Sequence, residues 1–172
     1  TTNDKKFYNV IKSLRNYGSS TRYLNEYIGY NMRLDELQAG LLVIKLRYLD
    51  KWNNERRKIA ETYIKNLSSV REVILPFTNI DSSHVYHIFN IRIKDRDRLA
   101  KHLQKSNIQT LIHYPIPPYL QKATSYLGYK KGDFPIAEEL ADTSLSLPIW
   151  PGMSYEQVIY VVKEIKKFYN ED

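Results

Sequence analysis

With 172 residues the chain is sized for one domain or one and a part, and an apolar share of 42% is enough to build a core. A net charge of +7 raises a nucleic-acid reading, but the basic residues are spread out and no recognition-helix or RNA-binding signature occurs. The absence of cysteine excludes disulfides and thiolate metal sites, and no apolar run is long enough to span a bilayer. The expected address is therefore the cytoplasm, with anionic ligands favoured and neither nucleic acid nor membrane as partner.

The opening segment predicts a helix from Thr2 to about Tyr17, with Phe7, Val10, Ile11 and Leu14 as an apolar stripe and Gly18 as its stop. Nothing lies upstream for that stripe to pack on, so the chain reads like the second part of a longer protein. A polar, tyrosine-rich loop follows; tyrosine numbers 15 here against 5 Phe and 2 Trp, and rings with polar tips suit interfaces and clefts. Leu34, Leu37, Leu41, Ile44, Tyr48 and Trp52 then step at helical spacing, and Ile59, Tyr63 and Leu67 resume the pattern. One long helix from about Arg33 to Leu67 is expected, bent near Asp50 to Asn54. Its cluster Lys51, Arg56, Arg57 and Lys58 is expected to be a solvated face.

After this helix the pattern changes. "REVILPF" (71–77), "HVYHIFNIRI" (84–93) and "IQTLIHY" (108–114) read as strands, and residues 95–107 as a helix with Leu99, Ala100 and Leu103 inward. A short helix near Pro135–Ala141, a strand at "SLSLP" and a closing helix from Ser154 to Tyr169 complete an α/β domain. In the last helix Val158, Val161, Val162, Ile165 and Phe168 face inward.

Gly-rich phosphate loops, nucleophile elbows and metal-ligand spacings are all missing from the sequence. His84 and His87, three apart on a predicted strand, fall on opposite faces and are expected to be structural. His113 and Tyr114 end a strand and stand before the rigid turn "PIPPYLQ", where α/β proteins place ligands. In "GYNMRLDELQAG" (29–40) Asn31 could cap the next helix, while Asp35 and Glu36 suit its first turn. Arg33 does not, because a cation at the positive end of a helix dipole is misplaced unless an anion meets it.

That stretch, with the continuation "LDKWNNERR" (49–57), "LIHYPIPPYLQ" (111–121) and "GDFPIAEELADTSLSLPIWPGMS" (132–154), resembles the DegT/DnrJ/EryC1/StrS family of pyridoxal-phosphate-dependent sugar aminotransferases. The likeness covers essentially the whole chain, and "IHYPIPPYLQ" looks most like the members acting on TDP-3-keto-6-deoxyhexoses. It implies an α/β chain forming the C-terminal part of a fold-type I transferase: residues 1–50 a remnant of the large cofactor domain, 51–172 the small domain, joined by the long helix. The family are homodimers with the active site at the subunit interface, so the likeness makes Asn31 and Arg33 contacts to the phosphate of pyridoxal 5′-phosphate in the neighbouring subunit. His113, Tyr114 and Tyr23 would border the nucleotide-sugar pocket, with glutamate as amino donor. The products of such enzymes feed surface polysaccharides and deoxyaminosugars.

The family's Schiff-base lysine lies upstream of the motif matching Thr2-Asn3-Asp4, and none of the lysines here occupies its position. The resemblance thus implies a transaminase parent, no catalytic residue within these 172 residues, weak or no cofactor binding by them alone, and exposed apolar surface favouring self-association. Two rivals are a sugar dehydratase of the same family, in which histidine replaces that lysine, and a non-enzymatic basic interaction module.

Overall fold

The computed structural model describes residues 1–170 and divides into two compact units, residues 1–49 and the part from Asp50 onward. In the first unit, helix α1 (Lys5–Leu14) is started by Asp4, whose Oδ1 accepts from Lys6 N at 2.7 Å and Phe7 N at 3.2 Å. Its apolar stripe is uncovered, with Phe7 63% and Ile11 54% exposed. The helix is shorter than expected and Gly18 is not its stop. At φ +73°, Gly18 instead lies so close to Tyr27 that a Cβ would sit 1.8 Å from Tyr27 O. Gly29 approaches the Gly18 backbone just as closely. These two glycines cinch the loop between them, and a short hairpin, β1 (Ser19–Thr21) with β2 (Leu24–Asn25), forms inside it.

The expected long helix is two. Helix α2 (Glu36–Leu46) closes with tightened i→i+3 bonds, Arg47 N to Ile44 O and Tyr48 N to Lys45 O, before α3 (Leu49–Leu67) begins. The interruption precedes the predicted bend and uses neither Gly nor Pro, so composition carries no sign of it. The apolar periodicity of α2 buries nothing in this unit: Leu37, Leu41 and Ile44 are each more than half exposed.

The second unit is built around the antiparallel pair β3 (Phe89–Arg92) and β4 (Ser144–Leu147), in the register Phe89↔Leu147 to Arg92↔Ser144. Phe89, Ile91, Leu145 and Leu147 face a core shared with α3, α4 (Arg96–Lys105) and α6 (Tyr155–Asn170). Leu99, Leu103, Val158, Val161, Val162 and Ile165 are buried there as expected, and Phe168 packs partly against them. Tyr63 stacks on Phe89 at 4.9 Å between ring centres and donates to Pro148 O at 3.0 Å. Burial pushes its phenol well above the ordinary tyrosine range.

Two expected strands shrink to single bridges, Ile74↔Arg92 and Leu111↔Ser146, one on each edge of the pair. Pro76 removes a donor from the first, and Leu111 is 58% exposed with a partner on one side only. The strand expected from His84 starts only at Phe89, because Tyr86 turns to φ +49° and gives its N–H to His84 Nδ1 at 2.8 Å. The basic cluster is not simply a solvated face. Part-buried Arg56 places Nη1 3.4, 3.2 and 3.1 Å from the carbonyls of Tyr86, His87 and Ile149, and Arg57 Nε donates to His84 O.

Candidate functional site

In the first unit an open cavity of about 640 Å³ is lined by Lys12, Arg15, Arg22 and Arg33, with the hydroxyls of Ser19 and Ser20 and no carboxylate. Arg15 Nε is tied to Met32 O at 3.3 Å. Arg33 reaches back from the approach to α2: its Nη1 lies 3.4 Å from Asn16 Oδ1, and the guanidinium sits 5.4 Å from the Tyr17 ring centre. A cation misplaced for the helix it precedes is thus placed for the cavity. Arg22, whose neighbours gave no motif, joins it because the hairpin folds residues 19–25 back over the end of α1.

Asn31 is not a helix cap. The N-cap of α2 is Asp35, which makes no side-chain capping bond, and Asn31 lies four positions before it. The Asn31 backbone bridges Asn16, while its side chain is exposed and hydrogen-bonded to nothing among the described residues. Tyr23 sits at the hairpin tip at φ +68°, 86% exposed, under the Arg22 guanidinium at 5.0 Å. Left-handed backbone at a bulky residue is strained, of order 1–3 kcal/mol, and such positions cluster where ligands bind. Asn31 and Tyr23 do not line the cavity; only Arg33 of the three does.

In the second unit, the face of the β3–β4 pair opposite the core floors a cavity of about 420 Å³. Its floor is Asn90, Ser144 and Ser146, with Asn90 Nδ2 donating to Ser144 Oγ at 3.1 Å. One wall is the loop of His113, Tyr114, Pro117 and Pro118; the other is helix α5 (Pro135–Thr143), through Ala137 and Leu140. His113 Nδ1 is hydrogen-bonded to Ser146 Oγ at 2.9 Å, which fixes the ring and leaves Nε2 without a protein partner among the described residues. Tyr114 stands at φ +57° and is 76% exposed.

Beyond the loop wall, Tyr119 OH donates to Glu138 Oε1, which also accepts Gly132 N at 2.6 Å. Desolvation, then the bond to Glu138 and its charge, push Tyr119 up to about 12; Tyr119, then Gly132 N, hold Glu138 below the ordinary glutamate range. Neither residue carried a sequence signal, because the partners are 19 positions apart across an irregular loop. His84 lies elsewhere, tilted against Tyr86 at 4.3 Å. Among the described residues no group of three or more His, Cys, Asp or Glu could hold a metal ion, and no helix is long and apolar enough to cross a membrane.

Lys12, Arg15, Arg22 and Arg33 give the cavity of the first unit a positive lining that suits an anion, while its hydroxyls are already engaged, Ser19 Oγ donating to Asn16 O at 2.7 Å and Ser20 Oγ to Glu26 Oε1 at 2.6 Å.

Comparison with known proteins bears on both units. The family model described as the DegT/DnrJ/EryC1/StrS aminotransferase family matches residues 1–166. A dTDP-3-amino-3,6-dideoxy-alpha-D-galactopyranose transaminase of Aneurinibacillus thermoaerophilus is 45% identical over 168 residues, covering 98% of this chain and 46% of that protein. The erythromycin biosynthesis sensory transduction protein EryC1 of Saccharopolyspora erythraea is 44% identical, covering 96% and 45%. Among solved structures, DesV of S. venezuelae superposes with a TM-score of 0.92 at 38% identity, over 98% of this chain and 45% of that one. The chain thus spans about half the length of the curated relatives it matches, and its α/β fold is that of a part of the aminotransferase fold.

Proposed function

The chain belongs to the DegT/DnrJ/EryC1/StrS aminotransferase family, and from that premise we propose that it forms part of an enzyme that moves an amino group from glutamate to a nucleotide-linked keto-deoxysugar. The observation that carries the proposal is its 45% identity, along nearly its whole length, to a protein named as a dTDP-amino-dideoxyhexose transaminase. The free amide of Asn31 and the place of Arg33 in a positively lined cavity support it physically. Lipopolysaccharide or another deoxyaminosugar product, a cytoplasmic setting and a homodimer with a shared active site belong to the same proposal.

Within it, the division of work follows the two units. Asn31 would donate from its amide to a phosphate oxygen of the cofactor in the neighbouring subunit, with Arg33 adding positive charge; pyridoxal 5′-phosphate would supply the electron sink for moving the amino group. His113, its ring fixed through Nδ1, offers Nε2 to the nucleotide sugar. Tyr114 and Tyr23, whose backbones are both left-handed, would border the nucleotide-sugar pocket. The prolines after Tyr114 keep that wall rigid. Residues 1–50 form the cofactor-side remnant and 51–172 the small domain. None of the lysines here is proposed to form the Schiff base, and these 172 residues alone are proposed to be inactive and to hold the cofactor weakly or not at all.

The test is to express the intact product of the native gene, supply glutamate and a TDP-linked 3-keto-6-deoxyhexose, and follow 2-oxoglutarate and the amino sugar. Stoichiometric formation of both is expected. Loss of the sugar's hydroxyl without 2-oxoglutarate would replace transamination by dehydration, and no turnover of any nucleotide keto-sugar would overturn the proposal.

A further inference from the structure

Pro117 and Pro118, which form one wall of the 420 Å³ cavity, belong to an irregular segment from Pro115 to Asp133 containing two short 3-10 turns, Pro118–Leu120 and Lys122–Leu127. Most of its hydrogen bonds close on itself: Thr124 Oγ1 donates to Pro118 O and Gln121 O, Gln121 Nε2 to Ile116 O, and Lys130 N to Asp133 Oδ2. Two hydrogen bonds that leave the segment converge on one atom, Glu138 Oε1, from Tyr119 OH and Gly132 N. Glu138 lies on α5, beside Ala137, whose side chain lines the opposite wall. The Tyr119 ring is further seated edge-on against Phe134 at 4.8 Å, and Phe134 against Tyr129 at 5.1 Å.

We propose that Glu138 is a positioning residue for the nucleotide sugar: by tying Tyr119 to α5 it sets the distance between the proline wall and the helix wall, and so the mouth in which His113 and Tyr114 stand. The inference rests on the functional reading given above. A carboxylate suits the task better than an amide, because its negative charge strengthens both bonds to the single oxygen and it needs no donor partner of its own. Both walls remain without the latch, but the segment then samples several separations, and only a fraction of molecules present the mouth that the sugar fits. Such a loss appears as weaker binding, with little change once substrate is bound.

The experiment uses the intact enzyme and varies the nucleotide keto-sugar at saturating glutamate. E138A, which removes both bonds, is expected to raise KM for the sugar about tenfold or more, with kcat within about threefold. E138Q, which keeps an acceptor of the same shape, is expected to recover most of that loss. Should E138A fail to fold, Y119F removes the Tyr119 bond, leaves that of Gly132 N and does not touch α5, and must also raise KM for the sugar. An unchanged KM in the folded variants, or a fall in kcat alone, overturns the inference. A wild-type enzyme that aminates no nucleotide keto-sugar fails at the functional reading first, so the two failures are distinguishable.

Discussion

Arg56 is the sharpest point at which to perturb the second unit. Its Nη1 lies 3.1–3.4 Å from three backbone carbonyls, those of Tyr86, His87 and Ile149, and so joins α3 to two separate connections. A hydrogen bond from a charged donor contributes about 1.5–3 kcal/mol. Two hydrogens are shared among three acceptors, so the gross figure is about 3–6 kcal/mol. Arg56 is only part-buried, so water reaches some of these carbonyls when the guanidinium goes, and methionine keeps the packing of the aliphatic stem. R56M should therefore lower stability by about 2–3 kcal/mol, a large share of the roughly 5–15 kcal/mol of a native domain. That corresponds to a fall of about 5–10 °C in Tm. Both tryptophans, Trp52 and Trp150, lie in this unit, so urea unfolding followed by their fluorescence reports it directly. R56K keeps the charge but not the fork, and should recover less than half the loss. A midpoint shift worth less than about 0.5 kcal/mol in R56M, at unchanged m-value, would refute the cross-link and return Arg56 to the solvated face its neighbours suggest.

The remaining predictions concern single atoms. Y63F removes the donor to Pro148 O in a fully buried setting and should lower stability by about 1–2 kcal/mol in the same urea assay; no change would mean that Pro148 O has another donor. On the proposed function, N31A in the intact enzyme should weaken pyridoxal 5′-phosphate about tenfold or more, read from cofactor release on dilution. R33A should weaken it more at low than at high salt, and equal effects at both would argue against a charge role. Tyr119 and Tyr169 are both pushed up to about 12, first by desolvation and then by nearby carboxylates, so titration of the native chain at 295 nm should show a late-ionising tyrosine fraction absent in urea. The fold holds these phenols protonated; their contribution is complete below the ordinary tyrosine pKa and is lost as pH rises through about 12. Glu138 behaves oppositely, its contribution present above the ordinary glutamate range and lost as pH falls through its depressed value.

What was legible in the sequence follows from which interactions are local. The inward faces of α4 and α6 could be read directly, because Leu99 and Leu103, or Val158, Val161, Val162 and Ile165, are neighbours on one helix and all face one core. At α2 equally regular leucines are exposed, in line with the apolar surface expected to be left open: periodicity says that a face is apolar, not that anything in this unit covers it. Strand lengths failed where pairing was needed. The bridges at Ile74 and Leu111 depend on partners at Arg92 and Ser146, and no local pattern states how many ladder bonds a distant partner will offer. Arg33 was legible because it broke a local rule, a cation where a helix start wants an anion, and it does line the cationic cavity. Arg22 obeyed no rule and broke none, so only the fold of the hairpin shows that it belongs beside Arg33. Glu138 was hidden for a further reason: an acid in a helix's first turn already has an ordinary explanation in the helix dipole, and that explanation hides its partner. Side chains with a sufficient local job are therefore where a distant role is most easily overlooked, and Tyr119 is what identifies Glu138 as having one.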